Sequence, residues 1–156
     1  MPASPSIHEA RVVPLKRVTN DRGHLLEVQR SDDAHFPGFG QAYLTSTHPG
    51  VVKAWYRHAT QFDQIALVVG RATVVLYDSR EASPSYAQVV EIVLDEASPC
   101  LVQIPPGVWH GFRADGGKPL HLLHLNTVPY DPVNIDEERL PPDSDRLPDV
   151  WRGSSV

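Results

Sequence analysis

Cysteine and methionine each occur once in the 156 residues. A single thiol, Cys100, closes no internal disulfide and builds no cysteine-based zinc site; it reads as a buried structural side chain in a reducing compartment. Nowhere do eighteen apolar residues run together, and the opening MPASPSIHEARVVP has no charged-then-apolar leader pattern. The expectation is a soluble, cytoplasmic chain with no membrane span. Basic residues are outnumbered, 14 Lys and Arg against 19 Asp and Glu, for a net charge of -5, and no stretch gathers them. Phosphate backbones are bound through such clusters, so nucleic acid is not the expected partner. Helical periodicity of useful length is missing as well.

What the chain does contain is short alternating segments between turn residues. Alternation or β-branched enrichment marks strands at 11–15, 24–29, 41–47, 72–77, 88–94, 100–104 and 120–127, and Asn20-Asp21-Arg22-Gly23 reads as a turn. About eight short strands with turn signals between them, and no helices, predict an all-β antiparallel sandwich or barrel. The length suits one domain with its own core. Residues 11–128 are expected to form that core. The tail 129–156, rich in Pro, Asp and Arg, is expected to lie on the surface as irregular structure, with one helical turn near 136–139.

The stretch Gly50 to Gly70 carries the chemistry. Strict alternation places Val52, Ala54, Tyr56 and His58 on one face of a strand and Val51, Lys53, Trp55 and Arg57 on the other. Asp63 shares parity with Ile65, Leu67 and Val69 on the next strand, and the two strands read as a hairpin. A tyrosine, a histidine and a carboxylate then gather at one end. A second polar stretch, Ile104 to Phe112, adds Trp109 and His110.

The spacing Gly50, Tyr56-x-His58, Asp63, Gly70 resembles the first signature of the cupin superfamily, and Pro105, Gly107 and His110 resemble the second. Together they imply a jelly-roll barrel. Further pieces are similar to the dTDP-4-dehydrorhamnose 3,5-epimerases and their sugar 3,4-ketoisomerase cousins. These are Asp21-Arg22-Gly23, Gly50-Val51-Val52-Lys53, Tyr77-Asp78-Ser79-Arg80 with Ser83-Pro84-Ser85, Pro105 to Phe112, and Tyr130-Asp131-Pro132. That resemblance implies a homodimer without a cofactor, acting on a nucleotide-linked keto sugar. The family's base, enolate-stabilising lysine and proton-returning tyrosine fall on Tyr56, Asp63 and His124, all three substituted. What remains for proton abstraction next to a carbonyl is His58 with His110, assisted by Tyr56 or Tyr130. Arg22 and Lys53 would hold the diphosphate, with Asp63, Trp109 and His124 completing the substrate site; Lys53 stands on the wrong parity and would have to reach around the rim.

Two other readings stay open. His58, Asp63 and His110 make a two-histidine, one-carboxylate set, with Tyr56 as a possible fourth ligand. Such a set suits iron, manganese, nickel or zinc, as in a dioxygenase or a metal-assisted isomerase. The third reading is a cupin that binds a small ligand without turning it over.

Overall fold

A computed structural model describes residues 6–152. Two five-stranded antiparallel sheets face each other. The first has the order β1 (Arg11–Pro14), β9 (Cys100–Ile104), β6 (Asp63–Val69), β11 (Leu120–Asn126), β4 (Gln41–Thr47). The second runs β12 (Glu137–Arg139), β5 (Val52–His58), β10 (Val108–Asp115), β7 (Arg71–Asp78), β8 (Val89–Asp95). A separate exposed hairpin joins β2 (Arg17–Asn20) to β3 (Gly23–Leu26). This is the expected all-β jelly roll, and no described helix is long and apolar enough to cross a membrane. Side chains of both inner faces, among them Ile65, Leu67, Val74, Leu76, Val102, Ile104, Phe112 and Leu122, interdigitate in one buried core. Cys100 lies in that core, where burial pushes its thiol pKa up.

Three expectations are corrected. First, β5 and β6 are not a hairpin. β5 pairs with β10 and β12, β6 with β9 and β11, so the link 59–62 crosses from one sheet to the other and the two strands face each other. Local alternation specifies a strand but not its partner, and a polar link can as well span two sheets as turn within one.

Second, strict alternation along β5 fails. His110 opposes Tyr56 while Phe112 opposes Lys53, so Ala54 and Trp55 together face the single residue Gly111. This is a bulge on β5, and an extra residue reverses parity beyond it. Lys53 therefore stands opposite the core residue Phe112, on the same side as Tyr56 and His58. Gly111 is what the bulge requires: a Cβ there would sit 2.4 Å from the Ala54 Cβ and 3.0 Å from its Cα. The ladder partners Trp55 gives up are replaced by the tail. Its amide donates to the Leu140 carbonyl at 2.6 Å, and its own carbonyl accepts from the Leu140 amide at 3.1 Å.

Third, residues 137–139 form strand β12 instead of a helical turn, since pairing with the open edge of β5 satisfies backbone groups that one isolated turn would leave to water. Beyond it the tail follows an irregular path with a structural task. Trp151, Leu140, Leu147 and Val150 cover the outer face of the second sheet, where Trp55, Trp109, Val52 and Val75 form a second apolar cluster. Trp151 meets Trp55 with ring centroids 5.5 Å apart. The last four residues of the tail, 153–156, lie outside the described residues.

The segment Asp78 to Ser85 is a structural knot. Asp78 is fully buried and accepts from Arg80, from both Ser83 and Ser85 hydroxyls at 2.6 Å, and from the Arg80 amide. Arg80 then lies across Gly107, where a Cβ would come within 2.8 Å of its Cδ. The Gly107 amide donates to the His58 carbonyl at 2.8 Å. Thus the two family-like motifs are tied together beneath His58.

Candidate active site

Because β5 and β6 belong to opposed sheets, His58 at the end of one and Asp63 at the start of the other look at each other across the sandwich. His58 Nε2 is 3.8 Å from Asp63 Oδ2, while His110 Nε2, from the middle of the second sheet, makes a 3.0 Å hydrogen bond to the same oxygen. The other His110 nitrogen faces the Val108 carbonyl at 3.1 Å, which fixes the ring between two acceptors. His124 approaches from β11, with Nδ1 4.0 Å from Asp63 Oδ1 and Nε2 2.9 Å from the Thr45 hydroxyl. Neither His124 Nδ1 nor Asp63 Oδ1 has a hydrogen-bond partner. One buried carboxylate thus serves three imidazoles.

Electrostatics follow from that crowding. Burial works to raise the Asp63 pKa, but the hydrogen bond from His110 and the nearness of the His110 and His124 imidazoles outweigh it and hold the carboxyl well below the usual carboxylate range. Asp63 is therefore an anion under all ordinary conditions. His58 moves the other way: burial, and then repulsion from His110, lower its pKa despite the pull of Asp63 and Glu137. Its imidazole is neutral near pH 7, the form a general base needs.

Above His58 opens a cavity of about 780 Å³, lined among others by Gln41, Tyr43, Gln61, Tyr130, Glu137 and Arg139. The volume falls in the range of small-molecule sites. Its walls come from different sheets: β4 and β11 supply Gln41, Tyr43 and Asn126, while β5 and the tail supply His58, Glu137 and Arg139. Glu137 and Arg139 have no counterpart in the sequence reading. In the register of β12, Glu137 opposes His58 and Arg139 opposes Tyr56, so both project to the inner side; Glu138 opposes Arg57 on the outer side and pairs with it. Glu137 Oε2 stands 3.9 Å from His58 Nε2, and Arg139 both pairs with Glu137 and places its guanidinium 5.5 Å over the Tyr56 ring. Asp136 latches the link 59–62. Its carboxylate accepts from the amides of Ala59, Thr60 and Gln61 and from the Thr60 hydroxyl, at 3.0 to 3.2 Å. The polar segment 136–139 shows no apolar alternation, so only its pairing with β5 reveals it. Nothing in the sequence of the exposed edge strand β4 marks which end of it Tyr43 faces.

The residues singled out from the sequence divide by place. His58 and Tyr130 line the cavity, Tyr130 at the rim and 65% exposed. Asp63, His110 and His124 form the buried layer beneath, and Tyr56 lies half-buried between His110 and Arg139. Lys53 is at the far end of β5, where its ammonium donates to the Ser46 carbonyl at 3.1 Å. Arg22 sits on the β2–β3 hairpin beside a different surface hollow, away from the cavity lining. Trp109 is not at the mouth. The alternation of β10 turns it to the outer face, where it is 2% exposed, packs in the tail-covered cluster and carries the Arg57 guanidinium 4.6 Å over its ring. It cannot stack on a ligand. As for a metal, one ligand atom from each of His58, Asp63 and His110 lies within 4.8 Å of the others, so donor types and approximate spacing fit a divalent ion.

Comparison with known proteins agrees with this architecture. The probable low-salt glycan biosynthesis epimerase Agl13 of Haloferax volcanii is 42% identical over 149 residues, spanning 94% of this chain and 96% of that protein. The spore coat polysaccharide biosynthesis protein SpsL of Bacillus subtilis is 37% identical over 145 residues, spanning 93% and 96%. Among solved structures, the dTDP sugar isomerase of Desulfovibrio desulfuricans superposes with a TM-score of 0.91 at 32% identity, covering 97% of this chain and 96% of that one. The family model described as dTDP-4-dehydrorhamnose 3,5-epimerase matches residues 4–147, and the chain belongs to that family.

Proposed function

We propose that the protein epimerises or isomerises a nucleotide-linked keto sugar, of the dTDP-4-keto-6-deoxyhexose class, by moving a proton next to the carbonyl. The observation that carries this is a neutral, buried imidazole presented to a nucleotide-sugar-sized cavity between two carboxylates, Asp63 at 3.8 Å and Glu137 at 3.9 Å. The relative named as a glycan biosynthesis epimerase supports the reaction class, and the solved structure named as a dTDP sugar isomerase supports the substrate class. In this reading His58 takes the α-proton, and the electron pair moves onto the carbonyl oxygen as an enolate. The imidazolium that forms is stabilised by the two carboxylates. His110 keeps Asp63 charged and in place. A tyrosine hydroxyl of the cavity wall returns the proton. Arg139 is the one Lys or Arg among the described lining residues and meets the anionic part of the ligand; Lys53, which donates to the Ser46 carbonyl, and Arg22, beside a separate hollow, do not line the cavity.

We also propose a homodimer in the cytoplasm. Exposed Leu44 and Val68 on the first sheet, with Val18 and Leu25 on the hairpin, give it an apolar surface to bury.

The chemistry needs no metal in this reading. Solvent deuterium should enter the positions flanking the carbonyl of a dTDP-4-keto-6-deoxyhexose, equally with and without a strong chelator, and His58→Asn should stop it. Exchange that vanishes on chelation and returns with iron, manganese, nickel or zinc would transfer the assignment to the metal centre of His58, Asp63 and His110. Tight binding with no exchange would leave a binding protein.

A further inference from the structure

An inversion at carbon needs two proton-transfer groups, one on each side of the plane of the enolate. His58 stands on the wall built by β5 and the tail. The opposite wall, from β4 and β11, contributes Gln41, Tyr43 and Asn126 to the cavity. Two of those are amides, which neither gain nor give protons in the working range. Tyr43 is the third. Building on the proposed proton-transfer chemistry, we infer that Tyr43 is the catalytic acid that delivers the second proton, from the side of the ligand opposite His58.

Its setting fits that role. Tyr43 opposes His124 directly in the β4–β11 register, and the two rings stack flat, with centroids 4.6 Å apart and planes within 6°. The buried imidazole is thus a platform that fixes the phenol ring. Asn126 Nδ2 donates to the Tyr43 oxygen at 3.5 Å, which uses an acceptor site and leaves the hydroxyl proton free for the ligand. Burial, and then the Asp63 charge, push its pKa up to about 12, so the proton is in place at neutral pH. The competing tyrosines are worse placed. Tyr56 belongs to the same strand as His58, beneath Arg139, and Tyr130 is at the rim. The position in the last clear strand where the family resemblance expects the proton-returning tyrosine holds His124, and a phenol from the neighbouring strand lies over it.

The step balances without a co-reactant. The α C–H bond breaks toward His58 and the pair becomes the enolate; then the Tyr43 O–H bond breaks and a new C–H bond forms on the other side. Water entering the open cavity reprotonates the phenolate, and His58 releases its proton to water.

The test is Tyr43→Phe with a dTDP-4-keto-6-deoxyhexose in deuterium oxide, following isotope entry and configuration by NMR, with Tyr56→Phe, Tyr130→Phe and His58→Asn alongside. Tyr43→Phe should still exchange the α-proton with retention within a few-fold of wild type, while inverted product falls at least ~100-fold, the scale of one general acid. His58→Asn should lose both, and among the phenylalanine variants only Tyr43→Phe should separate exchange from inversion. Wild-type inversion by a folded Tyr43→Phe protein overturns the inference and leaves the function intact. So does equal loss of exchange and inversion, which would mark a residue that merely shapes the site. No exchange by the wild type overturns the function and the inference together.

Discussion

Replacing Gly111 by alanine tests the device that aims the site. The added Cβ would sit 2.4 Å from the Ala54 Cβ, 3.0 Å from the Ala54 Cα and 3.1 Å from the Lys53 carbonyl. All three obstacles are backbone or Cβ atoms, so no rotamer change relieves them. Overpacking a core costs about 1–3 kcal/mol, and a clash against backbone belongs at the upper end, about 3 kcal/mol. At 2–4 °C per kcal/mol for a chain of this size, the melting temperature should fall by roughly 6–12 °C. Ala54→Gly removes the shortest of the three contacts and leaves those at 3.0 and 3.1 Å, so the double variant should recover part of the loss. The coupling energy between the two sites should be at least ~1 kcal/mol, within the range seen for residues in contact. Thermal unfolding by calorimetry on wild type, both single variants and the double variant closes the cycle. A Gly111→Ala protein melting within a degree of wild type, or additive single effects, would refute the bulge and with it the shared inner side of Lys53, Tyr56 and His58.

Two further outcomes follow. Asp136→Asn keeps the shape but removes one of two accepting oxygens from the link 59–62, so the Ala59, Thr60 and Gln61 amides should exchange with solvent at least ~10-fold faster. Deuterium entry into substrate should slow with them as His58 and Asp63 lose their fixed spacing; unchanged protection of those amides would remove Asp136 from the account. Acid should unfold the protein steeply. Asp63 is depressed by His110 and His124 against the effect of burial, and Asp78 by Arg80 and the two serines, likewise against burial. Depressed carboxylates stabilise the fold fully above their unfolded pKa of about 3.9, and that contribution drains as pH falls toward the folded values. The melting temperature should decline gently from pH 7 to 5, because unfolded His58 takes up a proton that its lowered folded pKa refuses, and drop more steeply below pH 4, with a shallower acid drop in Asp78→Asn; equal acid slopes would contradict the assignment.

The strands with clean alternation were legible in the sequence. β4 and β9 have the predicted ends, and β7, β8 and β11 differ by a residue or so at their termini. So was the meeting of His58, Asp63 and His110, since motif spacing survives whichever sheet each strand joins. Pairing was less legible. β10 hid inside a motif read only for its polar residues, and β5 looked like the first arm of a hairpin because nothing local distinguishes a link within a sheet from one between sheets. Lys53 was assigned to the wrong side because the bulge depends on Gly111, fifty-odd residues away in sequence. Glu137 and Arg139 could not be read, because a three-residue polar strand exists only through its partner. Trp109 shows the reverse case: an aromatic beside a polar motif invited a binding role, and the tail claimed it for packing.

That β5 and β6 lie in opposed sheets has a bearing on how the molecule comes together. His58 and Asp63 are near neighbours along the chain yet become partners only when two layers close, each layer stitched from distant segments. Such long-range closure is slow, and it leaves no partly assembled species with a working centre. Competence for turnover should therefore appear late in refolding, in step with final compaction rather than with strand formation.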